Sequence, residues 1–386
     1  MDDGRLYFDN AATSFPKPAP VYEALDAYAR GVGGTAGRSA HERAQAGARL
    51  LFELRTALAE LCGGVDDRVV LTKNATEAIN LALAGLARPG ATIVHGPLEH
   101  NAVMRPLTHL APRHGWTVAQ APGDAHGRIE PSALDEFLAT TKANALITLH
   151  ASNVHGLAQD LAAIGEICAR RKVLFIVDAA QSGGLLPLDM EAMRIDALCL
   201  TGHKGLLGPT GIGALLLSER AAERIEPLLY GGTGSASNKE AMPAFLPDRL
   251  EAGTPNTYGA AGLLAGVKYL LAETIEKTAR HESALRAPMI DRLRALKSVT
   301  IVGDAAGPAT ATLGFTSPMA PSDMAFVLNE KYGIAVRAGL QCAPRAHRTL
   351  GTFPTGTVRL SPGLFTPPAA VDEVAGAIAD ILRTQP

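Results

Sequence analysis

The chain has 386 residues, of which 47% are hydrophobic and 19% charged, with a formal net charge of -2. This composition is typical of a globular protein with a substantial core, and the absence of any block of like charge gives no indication of nucleic acid or an anionic membrane as a partner. A chain of this length exceeds what one core usually supports, so we expect two domains.

The first residues, MDDGRLYFDNAAT, are acidic and contain no apolar stretch typical of a secretory signal. No apolar run along the chain is long enough to span a bilayer. The four cysteines, Cys62, Cys168, Cys199 and Cys342, include no C-x-x-C pair and are too few to indicate a disulfide framework. We therefore expect a reduced, cytoplasmic protein.

In the first two thirds of the chain, short apolar runs alternate with helical patterns. The predicted strands lie at 68–73, 91–96, 144–152, 173–181, 196–204 and 211–218, with helices following at 74–86 and 161–172. The run VLFIV within 173–181 is almost continuously apolar, as expected for a strand covered on both faces. Strands separated by helices predict an α/β fold with a mostly parallel sheet between layers of helices.

The pattern changes close to Gly259. Residues 260–296 favour a long connecting helix followed by a second helix, shorter elements come next, and 369–384 has the period of an amphipathic helix. We therefore predict a large domain over 14–259 and a smaller α+β domain over 260–386, completed by residues 1–13.

Two charged residues follow neighbouring predicted strands. Asp178 ends the VLFIV run, and Lys204 lies just past the next strand in a glycine-rich loop. A lysine in that position usually points into water, and GHKGLLGPTGIG lacks the order of a phosphate-binding P-loop. Ligands of open α/β sheets bind beyond the carboxyl ends of the strands, however, which would bring both residues to one crevice. Pyridoxal phosphate needs this pair: a lysine at its aldehyde and an aspartate at its pyridinium nitrogen.

Further candidates for this cofactor lie at other strand ends. Ala75 and Thr76 open the helix after the first strand, where free N–H groups favour an anion such as a phosphate. Thr201 and His203 flank the lysine and are candidates for the same phosphate. His100 follows the second strand and is a candidate to stack on a cofactor ring.

Four segments, SNVHG (152–156), VDAAQS (177–182), TGHKGLLGPTGIG (201–213) and EAGTPNT (251–257), resemble the class V aminotransferase family of fold type I pyridoxal-phosphate enzymes. Within that family the chain is most similar to the cysteine desulfurases, in the same motif order from YFDNAAT to VRLSPG. The resemblance implies a Schiff base on Lys204 and a pyridine-nitrogen contact from Asp178.

The same resemblance implies roles for the remaining site residues. Asn153 and Gln181 would lie near the pyridine hydroxyl and the substrate, and His100 would stack on the ring. Thr76, Thr201 and His203 would hold the phosphate, while Arg359 would bind the substrate carboxylate. Thr254 would reach the phosphate of the neighbouring subunit's cofactor, which makes the expected enzyme a homodimer.

The sulfur chemistry depends on Cys342, in the segment VRAGLQCAP. Nearby cations (Arg337, Arg345, His347 and Arg348) are of the kind that favour a thiolate, and the segment resembles the active-site cysteine loop of the desulfurases, with glutamine at 341 where many of them have histidine. The resemblance implies conversion of L-cysteine to L-alanine, with the sulfur held on Cys342 as a persulfide and then passed to a reductant or an acceptor protein.

Other functions remain open at this stage. L-Selenocysteine lyase activity, cysteine sulfinate cleavage or amino transfer would use the same lysine and aspartate, and a transaminase would not need Cys342. A sulfur-relay or partner-binding protein that keeps the fold without the cofactor is a further alternative. A zinc or dinucleotide enzyme is disfavoured because the chain has no H-E-x-x-H, no C-x-x-C and no G-x-G-x-x-G after a first strand, and we expect no metal site.

Overall fold

The computed structural model describes residues 5–36, 41–303 and 305–384. The strands are β1 Leu6–Tyr7, β2 Val69–Thr72, β3 Thr92–His95, β4 Thr117–Gln120, β5 Ala145–Leu149, β6 Leu174–Asp178, β7 Ala197–Thr201, β8 Gly213–Leu217, β9 Thr300–Val302, β10 Leu313–Thr316, β11 Ile334–Ala335, β12 Arg337–Gly339 and β13 Thr357–Leu360. The α-helices are α1 Ala19–Ala27, α2 Glu42–Cys62, α3 Ala75–Leu86, α4 Asn101–His114, α5 Pro131–Thr141, α6 Leu161–Arg171, α7 Glu219–Arg224, α8 Thr257–Glu273, α9 Ile275–Arg294, α10 Pro321–Tyr332, α11 Pro344–Thr349 and α12 Ala369–Arg383.

Seven strands form the main sheet, in the order β2-β8-β7-β6-β5-β3-β4. All neighbours are parallel except β8, which runs antiparallel to both β2 and β7. The predicted mostly parallel α/β sheet is therefore confirmed. The strand of this sheet missed by sequence reasoning is the edge strand β4, whose mostly exposed residues lack the apolar run that marks the others.

Helices cover both faces of this sheet because alternate strand residues point to opposite sides. On β6, Phe175 and Val177 pack into a core with α2, α5, α6 and α8. Leu174 and Ile176 of the same strand pack into the opposite core, with α3 and α4. Burial on both faces explains why the VLFIV run is continuously apolar.

A third, smaller core lies around the antiparallel sheet β12-β13-β10-β9. Helices α9, α10 and α12 pack against it, and Phe8 joins it because β1 pairs in parallel with β11. The expected pair of helices over 260–296 is observed as α8 and α9.

The domain division remains a proposal, and the packing favours a boundary at Thr274. The apolar side chains of α8, such as Leu263 and Val267, lie in the core of the large sheet. Those of α9, such as Leu285, lie in the third core, around the small sheet. Residues 1–4, 304 and 385–386 of the proposed small domain lie outside the described residues. Across the described ranges, every helix is too short or too polar to cross a bilayer.

Candidate active site

A cavity of about 150 Å³ lies at the carboxyl ends of the parallel strands. Nine of the residues predicted from the sequence line it: Ala75, Thr76, His100, Asn153, Asp178, Gln181, Thr201, His203 and Lys204. Their positions follow from topology, because β3, β5, β6 and β7 are neighbours whose ends meet at one edge. The structure therefore brings together side chains spread over more than a hundred residues of sequence.

Asp178 is the last residue of β6 and is buried at the floor of this cavity. Its Oδ1 accepts a 2.9 Å hydrogen bond from the Ala180 N–H. Burial raises the pKa of its carboxyl, and the nearby Lys204 charge acts in the opposite direction. A cationic ring nitrogen placed beside Asp178 would favour the ionised carboxylate still more.

Lys204 lies in the loop after β7, and that loop is packed tightly on its surroundings. A Cβ added at Gly205 would lie 2.4 Å from the Gly183 carbonyl oxygen, so only glycine permits this close approach. The Ser14 hydroxyl donates to the Lys204 carbonyl at 2.8 Å. Burial lowers the pKa of the Lys204 ammonium to about 8, against the opposing effect of Asp178. The amine is thus neutral in a far larger fraction of molecules than an ordinary lysine.

His100 caps the N-terminus of α4, because its Nδ1 accepts a 3.0 Å hydrogen bond from the Ala102 N–H. Burial lowers the pKa of the His100 imidazole to about 4, and the positive charges of Lys204 and Arg105 contribute smaller effects in the same direction. The ring is therefore neutral at physiological pH. Since Nδ1 accepts, its proton lies on Nε2.

An anion site occupies one end of the cavity. Asn74 caps α3 by accepting from the Glu77 N–H at 3.1 Å, while Ala75 and Thr76, at the start of the helix, line the cavity. Opposite them, Thr201 Oγ1 and His203 Nδ1 are buried without a hydrogen-bond partner among the described residues. Buried polar atoms without partners are costly, and a phosphate accepting hydrogen bonds here would satisfy them. These residues therefore fit the phosphate end of pyridoxal phosphate.

Asn153 and Gln181 line the cavity with parts of their side chains already bonded. Gln181 Nε2 donates to the Ala11 carbonyl at 2.9 Å. Asn153 Nδ2 donates to the Gln341 carbonyl at 2.7 Å. The Asn153 Oδ1 atom is buried and finds no partner within the described part of the chain, so it is available to a ligand donor.

Arg359, on β13, is buried next to the cavity without lining it. Its guanidinium donates to Asn153 O at 3.0 Å and to Asp9 Oδ1 at 2.8 Å. Its Nε has no partner among the residues that the structure describes. Asp9 was missed by sequence reasoning, although it stands in the YFDNAAT segment; it also pairs with Arg337.

Thr254 lies apart from these residues. It lines a separate cavity of about 280 Å³, together with Lys73, Glu77 and Gly211. Within one chain the structure does not bring Thr254 to the Lys204 cavity, and its expected contact with a neighbouring subunit stays a prediction.

Cys342 is the exposed cysteine, whereas Cys62, Cys168 and Cys199 are buried. Its carbonyl accepts a 2.8 Å hydrogen bond from the Asn101 N–H, next to His100. A negative charge on its thiol is close enough to raise the pKa of Lys204.

The cations predicted around Cys342 have partners of their own. Arg337 pairs with Asp9, Arg345 donates to Gln120 Oε1 at 3.4 Å, and Arg348 stacks over the Phe353 ring at 4.3 Å. His347 is fully buried, and burial lowers the pKa of its imidazole to about 4. His347 is therefore a neutral structural residue and supplies no cation.

Two further polar residues near the site carried no recognisable sequence signal. Lys17 Nζ donates to Ser14 Oγ at 2.6 Å and to His203 O at 2.9 Å, and burial lowers the pKa of its ammonium to about 8. Glu99 is fully buried beside Asp178, and burial raises the pKa of its carboxyl to about 8. Both support the loops that carry His203 and His100.

Comparison with known proteins finds relatives that match nearly the whole chain. A probable cysteine desulfurase of Pyrococcus abyssi is 32% identical over 98% of this chain and 94% of its own length. A probable cysteine desulfurase of Streptomyces coelicolor is also 32% identical, over 97% of this chain and 92% of its own length. Among solved structures, the apo cysteine desulfurase of Thermococcus onnurineus NA1 superposes with a TM-score of 0.93 at 31% identity, covering 99% of this chain and 96% of that one.

The cysteine desulfurase CsdA of Escherichia coli, solved as an S-sulfonic acid, gives a TM-score of 0.86 at 29% identity over 99% and 96% of the two chains. These superpositions confirm the expected fold type I architecture. The aminotransferase class-V family model matches residues 6–374. The chain belongs to the class V aminotransferase family.

Proposed function

We propose that this chain is a pyridoxal-phosphate-dependent cysteine desulfurase that converts L-cysteine to L-alanine and takes the sulfur onto Cys342. The observation that carries the proposal is one cavity that unites an amine of lowered pKa, a buried carboxylate and an anion site. Beside it lies an exposed thiol, on a loop hydrogen-bonded to the helix that His100 caps.

The residues that would hold the cofactor follow from the cavity. Lys204 would bind its aldehyde, Asp178 its ring nitrogen, and the start of α3 with Thr201 and His203 its phosphate. His100 would pack against the ring, with Asn153 and Gln181 at its polar edge. When bound, pyridoxal phosphate withdraws electrons from the substrate α-carbon.

Lys204 and His100 are suited to proton transfer. When its amine is not bound to the cofactor, Lys204 would be suited to take the substrate α-proton, because burial lowers the pKa of its ammonium to about 8. The neutral His100 ring, with its proton on Nε2, is suited to exchange a proton with the substrate thiol.

Cys342 is the proposed nucleophile. Its thiolate attacks the substrate sulfur, an S–S bond forms, and the carbon–sulfur bond breaks with its electron pair moving to the substrate carbon. Protonation of that carbon and return of the α-proton from Lys204 give alanine and leave a persulfide on Cys342. A thiol of a reductant or of an acceptor protein then removes the outer sulfur.

Three further assignments belong to the proposal. Arg359, with its unpartnered Nε, would bind the substrate carboxylate. Thr254 would contact the cofactor phosphate of a second subunit in a cytoplasmic homodimer. A sulfur-acceptor protein would be the macromolecular partner.

The test is turnover of L-cysteine by the purified protein, with Lys204→Ala, Cys342→Ala and, as a control at a buried thiol, Cys62→Ala. We expect a yellow protein that forms alanine and sulfide, no turnover in the first two variants, and activity in the control. A Cys342→Ala variant that makes alanine from L-cysteine at the full rate would remove Cys342 from the mechanism. Activity confined to L-selenocysteine would instead identify a selenocysteine lyase.

A further inference from the structure

Gln341 and Cys342 have an uncommon backbone conformation. Their φ angles are +42° and +56°, in the left-handed region that side-chain-bearing residues seldom enter. Each such residue costs on the order of 1–3 kcal/mol and persists only where its surroundings determine it. Two adjacent residues of this kind therefore require a specific restraint.

The Gln341 side chain supplies that restraint. Its Oε1 lies 2.9 Å from His347 Nε2 and accepts a 3.3 Å hydrogen bond from Thr357 Oγ1, while its Nε2 donates to Thr357 O at 3.0 Å. His347 and Thr357 are fully buried, and Gln341 itself is 8% exposed. Both the oxygen and the nitrogen of the Gln341 amide are therefore hydrogen-bonded to buried residues.

The neighbours of Gln341 fix one proton arrangement. Because Gln341 Oε1 can only accept, His347 carries its proton on Nε2, and its Nδ1 accepts from Thr352 Oγ1 at 2.7 Å. Burial keeps this imidazole neutral. The chain from Thr352 through His347 to Gln341 is therefore fully satisfied, as a rigid buried network must be.

At both residues the loop backbone is tied to segments that line the Lys204 cavity. Asn153 Nδ2 donates to the Gln341 carbonyl, and the Asn101 N–H donates to the Cys342 carbonyl. With both carbonyls and the Gln341 side chain bonded inward, the Cys342 side chain is the part of the loop left exposed.

We infer that Gln341, oriented by His347, is a positioning residue that holds the Cys342 thiol in line with the substrate sulfur. This inference rests on the proposed function. Gln341 is not among the residues that line the Lys204 cavity, and it acts by holding Cys342 in the left-handed conformation. Loss of its amide would let the loop relax, and misplacement of a reacting group by about 1 Å costs on the order of 100-fold in rate.

The test compares Gln341→Ala and His347→Leu with His347→Gln, which keeps a donor at the position of Nε2. In the holoenzyme we expect Gln341→Ala and His347→Leu to lower kcat for L-cysteine on the order of 100-fold, with KM and the alkylation rate of Cys342 by iodoacetamide unchanged. We expect His347→Gln to recover most of the kcat. Thr357→Val, which has nearly the same shape, provides a milder loss of one hydrogen bond if the other variants fold poorly.

Hydrogen exchange in the cofactor-free protein gives a second readout. The amide of Asn101 and the peptide covering 339–343 should exchange about tenfold faster or more in Gln341→Ala than in the wild type, and near the wild-type rate in His347→Gln. If Gln341→Ala had the kcat and the exchange rates of the wild type while Cys342→Ala was inactive, the inference about Gln341 would be overturned and the proposed function would stand. Full activity in Cys342→Ala would overturn the proposed function, whatever the exchange shows.

Discussion

Replacement of Asp9 by asparagine should destabilise the protein far more than its position near the N-terminus indicates. Asp9 bonds two guanidinium groups, Arg359 at 2.8 Å and Arg337 at 2.7 Å. The two pairs differ in burial. The Asp9 side chain is 12% exposed, and its partner Arg359 is 3% exposed whereas its partner Arg337 is 47% exposed. Asp9→Asn would leave the Arg359 charge buried without its counter-charge.

The size of the effect follows from this difference. Removing one partner of a buried ion pair costs about 3–5 kcal/mol, because the remaining charge stays desolvated. The asparagine side chain still accepts one hydrogen bond, so we expect about 3 kcal/mol for Asp9→Asn. An exposed pair contributes about 0–1 kcal/mol, so Arg337→Gln should cost less than about 1 kcal/mol.

Urea unfolding followed by circular dichroism measures both variants in the cofactor-free protein. Arg337→Gln is the matched control, because it removes a bond to the same carboxylate from the exposed side. Equal losses in the two variants, or a loss below about 1 kcal/mol for Asp9→Asn, would refute the argument from burial.

Three further predictions concern ionisation and assembly. Burial raises the pKa of the Glu282 carboxyl from its ordinary 4.5 to about 7, so between these pH values the folded state retains a proton that the unfolded state has lost, and the free energy of unfolding falls as the pH rises. Glu282→Gln should remove this fall. In urea titrations it should be about 3 kcal/mol more stable than the wild type above pH 7, with no gain below pH 4.5. Asp178→Asn removes the carboxylate that opposes the effect of burial on Lys204, so the pKa of the Lys204 ammonium should drop further below about 8. Acylation of Lys204 in the cofactor-free protein near neutral pH, followed by mass spectrometry, should then be faster than in the wild type. An unchanged rate would contradict the electrostatic coupling between Asp178 and Lys204. If Thr254 contacts the cofactor of the neighbouring subunit, mixing the Lys204→Ala and Thr254→Asp variants should restore turnover, since each mixed dimer would contain one intact site. A mixture no more active than the average of the two separate variants would argue against a shared site.

The main sheet and most of the residues that line the Lys204 cavity could be predicted from the sequence. Buried strands are continuously apolar, and parallel strands bring residues such as Asp178 and Lys204 to one edge. Local sequence also showed the start of α3, where Asn74 proved to be the cap. The edge strand β4 escaped prediction because Val118 and its neighbours face solvent and need no apolar pattern.

The missed parts of the site depend on contacts between distant segments. Asp9 reaches Arg359 only because β1 pairs with β11 and so brings the start of the chain to the small sheet. The role of Gln341 depends on the fold around β13 and α11, which buries Thr357 and His347 against it. No periodicity or spacing in the sequence encodes either arrangement.

The most direct test of the proposed mechanism is the location of the sulfur after a single turnover. The holoenzyme would be mixed with an equal amount of L-cysteine without reductant, quenched by alkylation, digested and analysed by mass spectrometry. The account predicts one additional sulfur atom on the peptide that carries Cys342, alanine in matching amount, and neither product with Lys204→Ala. Alanine released without sulfur on Cys342 would contradict it.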